Sequence, residues 1–241
     1  GGNILLSVGS GTSTETSGGN VSLVAGSMTV GTGGFLLGVA GDGVTGGGIN
    51  FTAGIGTDGN GGSVTIASGM STGDENDASG SISLITAATP TNLPTSAMTG
   101  NISIATGDSM SSTSGSSGNV YVSTGDSSTD GAGSIAVTAG ASGSGRGANI
   151  TLTAGSTSGE EEVTGGSVHL TSGASSTSGE SSGQIILSTA DSDNTGKVSI
   201  ISGTTAVGSS GEILVSTGAA VSAGKIILSA GGSTSGAGAD I

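Results

Sequence analysis

The sequence predicts an all-β fold: a parallel β-solenoid (β-helix) of about fifteen short Gly-cornered strand repeats, 13–20 residues each. Three observations lead there. One phrase recurs along the chain, as GNVSLVAG at 19–26, GNISIATG at 100–107, ANITLTAG at 148–155 and GKIILSAG at 224–231. Its aliphatic positions alternate with the two-residue period of a strand, not the longer period of a helix. Gly supplies 52 of 241 residues and stands at both ends of the phrase, where it would turn corners by reaching backbone angles that other residues resist.

The phrase reads Gly, any residue, Ile or Val, any residue, an aliphatic, any residue, a small residue, Gly. Full copies begin at 2, 19, 34, 47, 62, 80, 100, 118, 133, 148, 166, 183, 196, 211 and 224. Position one is Gly except at Ala148, and position eight is Gly except at Ala87 and Ala190. Position three is Ile or Val except Leu36, position five is aliphatic or Phe51 except Gly38, and position seven is Val, Ala, Ser or Thr. Each copy predicts one short strand with positions three and five facing inward, and nothing predicts a helix. With two Phe, one Tyr and no Trp, the core would be thin and aliphatic. Residues 1–241 read as a single solenoid array, opening and closing inside the pattern as a segment of a longer chain would.

Linkers between copies run from 5 to 12 residues, longer than most hairpin loops. Position two carries Lys197, Glu212, Lys225 and Asp240 in succession, a charge ladder whose opposite signs would stack side by side in a parallel array. One copy per coil keeps that pairing but asks a short linker such as 219–223 to recross a strand near the limit of its reach; two copies per coil relieve the reach but stack like charges. The ladder favours one copy per coil.

A net charge of −14, with Arg146, Lys197 and Lys225 the only strong bases, leaves no basic surface for nucleic acid or an anionic membrane. No stretch approaches the ~20 apolar residues of a membrane helix, so no membrane insertion is expected. There is no Cys. His169, the single His, stands at an outward position four with no adjacent acid, and Arg146 lies alone in a linker; catalytic residues are expected to be none, and the chain no enzyme.

Acids fall mainly in linkers. Asp74, Glu75 and Asp77, and Glu160, Glu161 and Glu162, form two clusters that are candidates for calcium, although turn chemistry and solubility account for linker acids without a cofactor. Sequons at Asn20, Asn50, Asn101 and Asn149 are glycosylation candidates at outward positions. In the last four copies the strands are apolar on both faces, which makes Ile186, Ile201, Leu214 and Ile227 interface candidates. Outward Thr is too irregular for a regular ice-ordering face: Thr151 and Thr153 share one copy, whereas Ala136 and His169 interrupt the neighbours.

The phrases GNVSLVAG and GANITLTAG resemble the strand repeats of filamentous-haemagglutinin-type adhesins, a resemblance that implies a long right-handed parallel β-helix on a secreted fibre. Linkers such as STSGSSG and SSTSGESSG resemble the Gly, Ser and Thr-rich repeat proteins of algal and other stramenopile cell surfaces. The linkers here lack the second strand phrase of the haemagglutinin type. The expectation is a structural repeat unit of an extracellular filament, cell-surface stalk or adhesin, with copies of itself, other fibre subunits and glycans as partners. An ice-binding or glycan-binding solenoid is the alternative.

Overall fold

The computed structural model describes residues 2–11, 17–73, 77–90, 98–110, 114–158 and 164–232. Among them there is no helix and no strand, so the parallel β-solenoid is not the architecture of this chain. The copies are present as segments that do not pair into a sheet. No helix among the described residues is long and apolar enough to cross a membrane.

Alternation survives without pairing. In the copy at 183, Ile185, Ile186 and Leu187 are 53, 75 and 66% exposed, and in the copy at 224, Ile226, Ile227 and Leu228 are 50, 79 and 69% exposed. Odd positions are thus the more sheltered ones, as the two-residue period requires. Shelter is not burial, however. No described side chain is buried, and the chain exposes 23,629 Å². A folded monomer of this mass would expose about 9,300 Å² and its unfolded chain roughly 32,000 Å². The solenoid's inward face therefore does not exist within the chain.

The physical reason lies in the linkers. In a one-copy coil, a linker carries the chain back so that each start lies beside the preceding start. Here each start lies beside the preceding end. The N–H groups of Gly34, Gly47, Gly62, Gly80, Gly166 and Gly183 donate to the carbonyls of Gly26, Gly41, Gly54, Gly69, Gly155 and Gly173, at 2.8–2.9 Å. These bonds join position one of a copy to position eight of the copy before it, closing the linker on itself. Linkers of five, seven, nine and ten residues all close this way.

Inside the linkers, Ser and Thr side chains bend the backbone locally. Ser142 Oγ accepts from the Gly145 N–H at 2.9 Å, and Ser127 Oγ from the Asp130 N–H at 3.1 Å. Thr205 Oγ1 donates to the Val207 carbonyl at 2.6 Å and stands 3.2 Å from its N–H. Among the described residues the left-handed glycines are Gly31, Gly179 and Gly208, all in linkers. Glycine at the ends of the phrase is not there for unusual backbone angles, which corrects the corner reading.

Contacts group the chain into two units, Gly1–Val122 and Ser123–Ile241, the boundary falling inside the copy at 118. Hydrogen-bonded junctions occur in both units, at Gly34, Gly47, Gly62 and Gly80 in the first and at Gly166 and Gly183 in the second.

Candidate functional site

The recurring structural feature is the junction. At thirteen junctions the opening glycine stands against the position-seven residue of the preceding copy. A Cβ built on Gly34, Gly47, Gly62 or Gly166 would lie 3.3–3.4 Å from the methyl of Ala25, Ala40, Ala53 or Ala154. On Gly118, Gly133 and Gly224 it would lie 3.4–3.7 Å from Thr106, Thr124 and Thr217 Cγ2, and on Gly19 it would overlap Val8 Cγ1. At Gly19, Gly34, Gly62 and Gly166 a Cβ would come closer than 3.4 Å to its neighbours, so glycine leaves space there; at the other junctions a Cβ would make ordinary contact.

Shelter follows the same rule. Eight described residues are half-buried, and seven of them are position-seven residues: Ala25, Ala40, Ala53, Ala139, Ala154, Ser172 and Ser202. Ala148 is the one opening residue with a methyl, and the position-seven residue of the copy before it is Ala139, among the smallest in the series. The sequence carried this signal, since both positions are restricted in every copy.

One apolar groove of about 400 Å³ lies in the first unit, lined by Leu23, Leu36, Leu37, Gly38, Ile49 and Phe51. Gly38 interrupts the aliphatic series at position five, and the missing side chain opens the space between Leu23 and Phe51. No polar side chain lines it.

The sequence-derived candidates are distributed along the chain. Of the acid clusters, Asp77 is exposed, while Asp74, Glu75, Glu160, Glu161 and Glu162 lie outside the described residues. The Asp77 carboxylate leans over Gly73, filling the space a Cβ would need there. No group of three or more His, Cys, Asp or Glu side chains among the described residues is placed to hold a metal ion. Asn20, Asn50, Asn101 and Asn149 are all exposed, and Asn50 Oδ1 accepts a bond from Thr52 Oγ1 at 3.1 Å. His169 and Arg146 are exposed on separate segments.

Lys197, Glu212 and Lys225 are exposed in successive copies; Asp240 lies outside the described residues. Ile186, Ile201, Leu214 and Ile227 are 75, 82, 75 and 79% exposed.

The chain matches no protein-family model, no curated protein and no solved structure.

Proposed function

We propose that the chain is a structural repeat unit of an extracellular filament, cell-surface stalk or adhesin, completed by association with further copies of itself. The observation that carries this reading is the apolar series at positions three and five, repeated in copy after copy and still exposed in the single chain. Ordering a backbone residue costs about 1–2 kcal/mol, and the usual compensation is apolar burial at roughly 25 cal/mol per Å². One chain supplies only part of that burial, since no described side chain is buried. Association of many chains would supply it, because a repeated unit offers the same apolar face at each step.

Composition agrees with an assembly exposed to water. Hydroxyl-rich linkers and a net charge of −14 keep the single chain soluble, and exposed sequons suit a secreted glycoprotein. Length and surface, with no reacting group, would be the functional properties.

The test is sedimentation velocity across a wide concentration range, followed by negative-stain electron microscopy of the same samples with and without a chelator. Filaments that persist in the chelator support the reading. A monodisperse monomer at every concentration overturns it.

A further inference from the structure

The second unit divides sharply at residue 183. Its copies at 133, 148 and 166 carry Ala136 and Thr138, Thr151 and Thr153, and His169 and Thr171 at positions four and six. The next four copies instead carry Ile186, Ile201, Leu214 and Ile227 there, each at least three-quarters exposed. These are the even positions, already the less sheltered face of these four copies, so nothing in the chain's own junctions covers them. Consecutive exposed aliphatics of this kind mark an interface.

Charge identifies the occupant. Two chains that each carry −14 repel, so a contact between them favours a segment that is itself close to neutral. Residues 183–232 carry three acids, Asp191, Asp193 and Glu212, and hold Lys197 and Lys225, two of the three strong bases in the chain. Lys197, Glu212 and Lys225 sit at the same position of successive copies, beside the apolar residues, with alternating sign. A second copy of the same segment, displaced by one repeat, sets each Glu212 against a lysine of the other chain. A partner of uniform charge would not.

We propose that 183–232 is the surface by which two copies of this chain associate, with Ile186, Ile201, Leu214 and Ile227 forming the apolar contact. Glu212 of each chain faces a lysine at the equivalent position of the other, which sets a one-repeat offset. Such an offset is head-to-tail, so contacts of this kind propagate and do not close into a ring. The inference rests on the self-association reading above and names its surface.

Charge reversal tests it by sedimentation velocity on the full chain. The Lys197→Glu/Lys225→Glu chain presents three acids in the series, and the Glu212→Lys chain presents three lysines. Each alone is expected to associate about tenfold more weakly or worse, the equivalent of ~1.4 kcal/mol. An equimolar mixture of the two is expected to recover parental association. Glu212→Lys also reduces overall repulsion between chains, so a stronger homotypic association of that variant overturns the proposal. So does a mixture no stronger than its components. The Ile186→Thr/Ile201→Thr/Leu214→Thr/Ile227→Thr chain is expected to remain monomeric, while Leu5→Thr/Leu37→Thr in the first unit retains parental association; the reverse pattern places the interface elsewhere. A parental chain that never associates defeats the function proposed above. A parental chain that associates without responding to these substitutions defeats only this surface.

Discussion

The α-carbon of Gly166 lies against the Ala154 methyl while its N–H donates to the Gly155 carbonyl at 2.9 Å. A Cβ on Gly166 would stand 3.3 Å from the Gly155 nitrogen and oxygen and 3.4 Å from Ala154 Cβ, closer than most side chains tolerate. Nothing lies within 4 Å of a Cβ built on Gly155. Gly166→Val should therefore open the junction, and Gly155→Ala should leave it closed. Residue-resolved amide exchange reads both: the amide at 166 loses protection worth about 1 kcal/mol in the first variant and keeps it in the second. Equal effects would mean the glycine at position one serves something other than space.

The parental chain should show an isolated pattern of slow amides. Gly34, Gly47, Gly62, Gly80, Gly166 and Gly183 donate backbone bonds and are expected to exchange more slowly than Ile104, Val137 or Leu152 in mid-copy. Under dilute, unassociated conditions, continuous protection along the copies would reveal paired strands and return the solenoid.

Linker length should matter little. The linker 174–182 closes on the same bond as the seven-residue linker 27–33 and the five-residue linker 42–46. Deleting Ser175 and Ser176 changes the closure entropy by only ~0.2 kcal/mol, so the Gly183 amide should stay protected. Loss of that protection would tie closure to the linker's own turn, where the Glu180 N–H donates to the Thr177 carbonyl at 3.2 Å.

Gly208 has a φ of 102°, a backbone region that side chains resist, and it follows the turn in which Thr205 bonds Val207. Gly208→Ala is expected to cost the turn about 1 kcal/mol. The Val207 amide shift, measured by NMR, should move toward its value in a Thr205→Ala chain. Gly203→Ala, at a site with open space and no positive φ, is the control and should leave that shift unchanged.

Expressed through a secretory pathway that attaches N-linked glycans, the chain should exceed 22.0 kDa in intact mass. Thr52→Ala removes the hydroxyl that bonds Asn50 and should lower the mass by one glycan. A mass of 22.0 kDa for the parental chain would reject glycosylation at all four sequons.

Much of the local structure was legible in single residues. Ile185, Ile186 and Leu187 alternate in exposure as their spacing predicts, and Ser127 and Ser142 turn the linkers as such residues commonly do. The restriction of position seven to small residues was visible too, but its partner across the linker was not. Glycine has several uses, and composition does not distinguish a left-handed angle, as at Gly208, from the need for space, as at Gly166. The groove left by Gly38 was legible only as an exception to a pattern.

The sequence by itself determined the fifteen copies, the alternation of their apolar residues, their glycine ends and the uneven placement of charge. Those properties depend on neighbouring residues and on side-chain size. Only the tertiary structure decided whether the copies pair, because a two-residue period belongs equally to a paired strand and to an unpaired extended segment. Pairing depends on where each linker delivers the next N–H, and here it delivers Gly34 to Gly26 and Gly166 to Gly155. Each start meets the preceding end, and the apolar faces that a solenoid would have enclosed remain open to another chain.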